Sequence, residues 1–324
     1  MNTAVKYTSL FADALHNMQL FHESLGGNRE TYTSGLRDFD RFCSEKYKDT
    51  NTLAKDLVLE WCAKRPEEKI NTHRTRTIAL RQFCKYMRFI GHEAYIIPIE
   101  IVAKKEDFEP YIFTDDELFA FFKVIDSIRF SPKRYFADYT LPMFFRIAYG
   151  CGLRPNELYN LRRCDVNLRE QTLFVYNSKA KRDRLITLTA DLHDLCSKYD
   201  KITQQYFPER LWFFHIAKEI NSRKAWFGYH LKKYWRIAKL DKRLGYCPRV
   251  YDFRHNYATR ILTRWFDDGK DIMTLMPYLS SYMGHIQLHS TMYYVHLLPE
   301  RLRQNKAFDW NKFEMLLPEV SYDE

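Results

Sequence analysis

The chain has 324 residues, of which 46% are hydrophobic and only ten are glycine. This composition excludes a disordered or fibrous protein and leaves room for two domains of ordinary size. A formal charge of +10 at pH 7 fits a polyanionic partner, the alternative being a merely basic soluble protein. Seven dispersed cysteines without a Cys-x-x-Cys pair suggest neither a zinc knuckle nor a disulfide framework. With no apolar leader and no bilayer-long apolar run, the expected location is intracellular, without membrane attachment.

The first hundred residues read as helices. Leu10, Phe11, Leu15, Met18 and Phe21 have helical spacing and predict a helix over 7–24. A second is expected to start near Asn28 as N-cap, burying Tyr32, Leu36, Phe39, Phe42 and Cys43. A third covers Thr52 to Lys64, closed by Pro66. The fourth, Asn71 to Ile90, places Arg74, Arg81, Lys85 and Arg88 on one face, opposite Ala79, Leu80, Phe83, Met87 and Ile90. Four cations with no acid predict phosphate-backbone contact; a solvated charged face is the plainer alternative. Residues 104–112 form a charged stretch containing Pro110, read as a linker between a helical domain over 1–103 and a second domain over 113–324.

In the second domain, Thr114 is expected to cap a helix that opens with Asp115, Asp116 and Glu117 and buries Leu118, Phe121, Phe122 and Ile125. An apolar helix over 139–150 delivers the chain to Gly152-Leu-Arg154. Strands at Leu173–Tyr176 and Arg184–Leu188 flank a basic turn and predict a hairpin. Helices return over Ala190–Lys198, Ser222–Leu240 and Asp252–Phe266, and Phe308–Leu317 is a short amphipathic tail segment. The fold class is thus mainly α with a small antiparallel β-sheet.

Five fragments carry chemistry. They are Gly152-Leu-Arg-Pro-Asn-Glu-Leu158, Lys179 in the hairpin turn, Tyr251-Asp-Phe-Arg254 followed by His255, Met283-Gly-His285, and Tyr294-Val-His296, with Tyr294 nine residues after His285. Their order and spacing resemble the tyrosine recombinases, or phage-type integrases, over about residues 113–298. The resemblance implies a helical core-binding domain, here 1–103, followed by a tyrosine-recombinase catalytic domain with a C-terminal tail helix. It implies catalytic roles for Arg154, Lys179, Tyr251, Arg254, His285 and Tyr294, the last as nucleophile. It also implies no arm-binding domain ahead of the helical block. The family's His three positions before the second arginine is replaced by Tyr251. Tyrosine cannot relay a proton near neutral pH, its ordinary pKa being about 10, but it can donate a hydrogen bond to a phosphate oxygen.

These residue types suit attack on a phosphodiester. Two guanidinium forks match the equatorial oxygens and stay charged at any working pH. A phenol can attack and store the bond energy as an ester, and a lysine can protonate the departing oxygen. No metal, ATP or other cofactor is expected. The expected partner is double-stranded DNA with a specific recombination site, gripped by both domains, with Lys181 joining Arg74, Arg81, Lys85 and Arg88 as DNA contacts. The resemblance further implies a homotetrameric synapse, a tail helix docking on a neighbouring protomer, and a cytoplasmic, nucleoid-associated location. Alternatives remain at single positions: Arg154 pairing only with Glu157, Lys181 in place of Lys179, and Tyr293 in place of Tyr294. Two other functions also remain open, a type IB topoisomerase-like relaxation activity and a DNA-binding regulator with a decayed site.

Overall fold

The computed structural model describes residues 6–27, 31–104, 110–129, 136–176, 183–216, 222–241 and 247–295. The chain divides into two compact units, Met1–Glu109 and Pro110–Glu324. Of the expected linker, 105–109 lie outside the described residues, as do Asn28 and the tail segment 308–317.

The first unit holds four helices, α1 (Ala12–Ser24), α2 (Thr33–Lys46), α3 (Lys55–Cys62) and α4 (Ile70–Phe89). Helix α1 starts later than its apolar spacing suggests. The Asp40 carboxylate accepts the backbone N–H groups of Thr8 and Ser9 at 2.9 Å each and holds them in a turn. Phe11, Leu15 and Met18 are buried as expected, whereas Leu10 and Phe21 are exposed. Phe11, Phe39 and Phe83 meet at the centre, with Trp61 edge-on to Phe39. On α4, Ala79, Leu80, Phe83 and Met87 join this core, but Ile90 ends the helix in solvent at 41% exposure. The buried cation of this helix is Arg76, which sequence spacing did not single out. It donates to both oxygens of Glu68, at 2.6 and 2.9 Å, and lies over the Trp61 ring.

The second unit begins with α5 (Asp115–Asp126), where Thr114 and Glu117 form a reciprocal capping box. Helix α6 (Ala137–Cys151) is followed by the five-residue α7 (Pro155–Tyr159). Next come β1 (Val166–Asn167), β2 (Thr172–Val175) and β3 (Arg184–Thr187), an antiparallel sheet in the order β1-β2-β3 with Leu173 opposite Ile186. The hairpin pairing is as read from sequence; the turn with Lys179 and Lys181 lies outside the described residues. Helices α8 (Ala190–Tyr206), α9 (Arg223–Ile237), α10 (Val250–Asp267), α11 (Ile272–Met283) and α12 (His289–Met292) complete the unit. Helix α8 runs past the expected Lys198 because its last turns also have a buried face. There Asp200 takes Arg163 at 2.7 Å and also pairs with Arg210. Among the described residues no helix is long and apolar enough to cross a membrane.

Helix α10 connects two apolar clusters. Val250 and Phe253 belong to a large aromatic core with Phe121, Phe144, Phe145 and Trp235. Ala258 and Leu262, further along, belong to a smaller cluster with Met276, Met283, Met292, Tyr294 and Val295. Arg254 sits between them, so the fold itself carries a cation to the seam of two cores.

Candidate active site

Each candidate side chain is placed by a local feature of the chain. Helix α6 ends at Gly152 in the left-handed region, φ +58°, where a Cβ would lie 2.5 Å from the Tyr257 ring. Only glycine meets both demands at once. Arg154 follows as N-cap of α7, with Pro155 at the first helical position and Glu157 reaching back to the Arg154 N–H at 2.7 Å. A second left-handed glycine, Gly284 (φ +65°), closes α11, and the His285 N–H returns to the Ser280 carbonyl. Helix α12 then brings Tyr294 back under the same seam.

Arg254 is fully buried, at 0% exposure. One terminal nitrogen donates to Gly152 O at 2.8 Å, the other to Met283 O at 2.6 Å and to His285 Nε2 at 3.0 Å. Among the described residues its Nε has no hydrogen-bond partner. Burial pulls the guanidinium pKa down. Among the described residues no carboxylate lies within ion-pair distance of it. Arg154 donates to Glu157 Oε1 at 3.0 Å and to the Gly284 carbonyl, so both arginines converge on the Met283-Gly284-His285 corner.

His285 Nδ1 meets the buried Thr291 hydroxyl at 2.7 Å. Burial and then the charges of Arg254, Arg154 and Arg184 push its pKa down to about 3, so the ring is neutral at physiological pH. Tyr294 is 2% exposed, its ring parallel to His285 with centroids 6.1 Å apart and 5.6 Å from His255. Burial pushes the Tyr294 pKa up to about 12 against the opposing charge of Arg254. The neighbouring Tyr293 is 40% exposed. Tyr251 is exposed on α10 with its ring 4.8 Å from His255. Burial, followed by the charges of Arg249 and Arg254, holds the His255 pKa down at about 4.

The structure therefore brings together Arg154, Arg254, His285, Tyr294, Tyr251 and His255. Lys179 and Lys181 lie outside the described residues. In the first unit, the face expected to touch DNA is partly engaged as an internal brace. Arg74, Arg81 and Arg88 donate to the carbonyls of Ala103, Ile97 and Ala94 at 3.0, 2.8 and 2.8 Å, while Lys85 is exposed. A separate groove of about 660 Å³ between α2 and α4 is lined by both signs of charge, with Asp38 pairing Arg41 and Arg65 and Glu68 pairing Arg76.

Sequence reasoning passed over two features of the second unit. Arg184, the first residue of β3, donates to both oxygens of Glu157 at 2.9 and 2.6 Å and to the Tyr282 carbonyl at 2.9 Å. Helix α9 has no acidic residue and exposes Lys224, Lys232 and Arg236 along one face. The second was readable from the acid-free run Arg223–Ile237. The first depends on strand register and has no local signal.

Comparison with known proteins bears on the family and the fold. Residues 114–301 match the phage integrase family. A putative integrase/recombinase, y4rB, from Sinorhizobium fredii is 24% identical over 306 residues, covering 91% of this chain and 96% of that protein. The tyrosine recombinase XerA of Pyrococcus horikoshii is 24% identical over 294 residues, covering 90% and 92%. Among solved structures, XerH site-specific recombinase bound to palindromic difH substrate in a post-cleavage complex aligns with a TM-score of 0.64. It is 19% identical and covers 85% of this chain and 78% of that one. A lambda integrase dimer bound to a COC′ core site aligns with a TM-score of 0.59 at 14% identity, covering 87% and 94%. The two structures share the fold, and the family match spans more than half of the 324 residues. The chain belongs to the phage integrase family and is a tyrosine recombinase.

Proposed function

We propose that the protein is a site-specific DNA recombinase of the integrase or transposase type, cutting and rejoining duplex DNA through a 3′-phosphotyrosyl intermediate without metal or ATP. The observation that carries this reading is Arg254. A buried guanidinium without a carboxylate partner is costly to maintain, by several kcal/mol after relaxation. An arriving phosphodiester supplies the missing counter-charge, and the unpartnered Nε is a donor ready for one of its oxygens.

Arg154 and Arg254 then hold the non-bridging oxygens, and their attraction grows as charge builds there in the transition state. Preorganised donors of this kind are commonly the largest catalytic contribution. Tyr294 Oη forms the new bond to phosphorus while the bond to the 5′-oxygen breaks. Lys179 donates a proton to that leaving oxygen. The phenol proton passes to His255, whose ring centroid lies 5.6 Å from that of Tyr294 and whose pKa, about 4 in the free site, an arriving phosphodiester raises. Tyr251 takes the position of the family histidine as a hydrogen-bond donor to phosphate rather than a proton relay. Religation runs the same steps backwards, with an incoming 5′-hydroxyl.

The partner is double-stranded DNA carrying a recombination site, and the working assembly is a homotetramer on two such sites. Arg74, Arg81, Lys85, Arg88 and Lys181 are proposed backbone contacts. The helical first unit serves as core-binding domain, and the tail beyond Pro299 docks on a neighbouring protomer. The protein works at the nucleoid of the cytoplasm.

The test begins with a pool of nicked duplexes of randomised sequence, from which the protein retains its site covalently through denaturing washes. The selected duplex should give an adduct lost in Tyr294→Phe and kept in Tyr293→Phe. A wild-type protein that binds duplexes yet forms no adduct would leave only a DNA-binding regulator. An adduct that forms and relaxes supercoils on a single site would point to a topoisomerase instead.

A further inference from the structure

Arg154 as it stands presents a difficulty. A guanidinium that already holds a carboxylate has little charge to offer a phosphate, and Glu157 accepts both the Arg154 side chain at 3.0 Å and its backbone N–H at 2.7 Å. Taken alone, Arg154 and Glu157 form a neutral pair.

A third residue changes the balance. Arg184 reaches from β3 with a side chain only 9% exposed and takes Glu157 in the two-pronged geometry that suits a carboxylate. Its Nε is fixed on the Tyr282 carbonyl. Burial alone would raise the Glu157 pKa, but the hydrogen bonds and charge of Arg184, together with those of Arg154, bring it below the ordinary value, so it stays ionised. The cluster then holds two cations and one anion, with a net charge of +1. The Arg184–Glu157 contact is bidentate and buried, whereas Arg154 gives Glu157 one side-chain nitrogen and is more exposed. The surplus charge therefore resides on Arg154. Gly284 sits where the two guanidiniums pass; a Cβ there would lie 3.0 Å from Arg184 Nη1 and 3.3 Å from Arg154 Nη1.

We propose that Arg184 is a positioning residue of the recombinase site: by neutralising Glu157 it leaves the charge of Arg154 available to a phosphodiester. The inference rests on the reading of the site given under Proposed function. Through the Tyr282 carbonyl, Arg184 also ties β3 to the corner that carries His285.

The test compares Arg184→Gln, Arg184→Lys, Glu157→Gln and the double variant Arg184→Gln/Glu157→Gln on the selected nicked duplex, with a native or a methylphosphonate linkage at the cleaved position. Arg184→Gln should slow adduct formation on the native linkage by about 10²-fold, the scale of losing one preorganised donor. On the uncharged methylphosphonate the defect should shrink to within about tenfold, since less countercharge is needed. The double variant should recover part of the loss, because the neutralising acid is gone as well, and Arg184→Lys should lie between. A merely structural brace predicts the reverse: equal defects on both linkages and a double variant no better than the single. Either result would overturn the proposal. Affinity for the intact randomised duplex pool, measured without covalent trapping, should follow the same order, and this arm reads the charge balance even if wild type forms no adduct. Loss of the adduct in wild type would count against the recombinase reading, whereas unchanged affinity across the variants would count against the role of Arg184.

Discussion

The Arg254 guanidinium donates to His285 Nε2 across 3.0 Å, and this contact fixes which nitrogen of the imidazole carries its proton. Arginine has no acceptor, so Nε2 presents its lone pair and Nδ1 carries the hydrogen that goes to Thr291 Oγ1 at 2.7 Å. His285 is thus an acceptor in the free protein. To donate to a phosphate oxygen from Nε2 it must change tautomer or gain a second proton, and the negative charge of the phosphate favours the second.

DNA binding is therefore expected to take up a proton at His285. In the free site, burial and three arginines hold its pKa down at about 3. A phosphodiester brings a charge of opposite sign and an acceptor, both of which raise that value. A group whose pKa is higher in the complex favours binding as pH falls, from the bound-state pKa down towards about 3. Calorimetry in buffers of different ionisation heat should show proton uptake by wild type and less by His285→Gln, the remainder belonging to His255. Identical heats for the two proteins would remove His285 from the phosphate.

Acid should unfold the free protein earlier than its carboxylates alone would require. The folded pKa values of His255 and His285, about 4 and about 3, lie below the ordinary value near 6.5 in an unfolded chain. Above that value neither state carries the extra protons, and stability is unaffected. Below it the unfolded chain binds protons that the folded chain refuses, so stability falls progressively until pH reaches the folded values. The loss is on the order of 2 kcal/mol per histidine. Denaturant melts at neutral and acid pH should show it, and the variant His255→Gln/His285→Gln should show a much shallower acid slope. Equal slopes would mean the imidazoles are protonated in the folded state.

The motifs that mark the family were legible because each is local in the sequence. A left-handed glycine before Arg154, a glycine before His285 and a tyrosine nine residues later leave a mark that needs no tertiary information. What the sequence hid was how charge is shared. The partner of Glu157 is 27 residues away on β3, and only the antiparallel register brings Arg184 to it. Helix α7, with five residues, is too short to show a period, and α11 carries Pro277 within it. Leu10 and Phe21 had helical spacing, but spacing cannot foresee that Asp40 holds Thr8 and Ser9 in a turn. Arg74, Arg81 and Arg88 shared a face as read, yet their carbonyl partners lie in the irregular segment after α4.

Gly152 should tolerate no side chain. Its φ of +58° disfavours any L residue, and a Cβ would meet the Tyr257 ring at 2.5 Å. Its carbonyl also anchors Arg254 at 2.8 Å. Gly152→Ala should destabilise the protein by about 2 kcal/mol or more, combining the backbone cost with overpacking. Gly228→Ala on α9 is the control, because nothing lies within 4 Å of a Cβ there. It should be neutral or slightly stabilising, by up to about 0.8 kcal/mol from helix propensity. Similar thermal shifts for the two variants would contradict the packing described around Gly152.

The acid-free helix α9 should contribute to the salt dependence of DNA binding. Lys224, Lys232 and Arg236 are exposed, and no carboxylate on the helix opposes them. Each cation that neutralises a backbone phosphate steepens the slope of log affinity against log salt by about one. Lys232→Gln/Arg236→Gln should therefore flatten that slope by about two while leaving thermal stability near wild type. Arg81→Gln/Arg88→Gln offers the contrast, since those side chains hold the carbonyls of Ile97 and Ala94. That pair should lower the melting temperature along with any change in slope. A wild-type slope in the α9 variant would place this helix away from the duplex, leaving the excess positive charge of the second unit to act elsewhere.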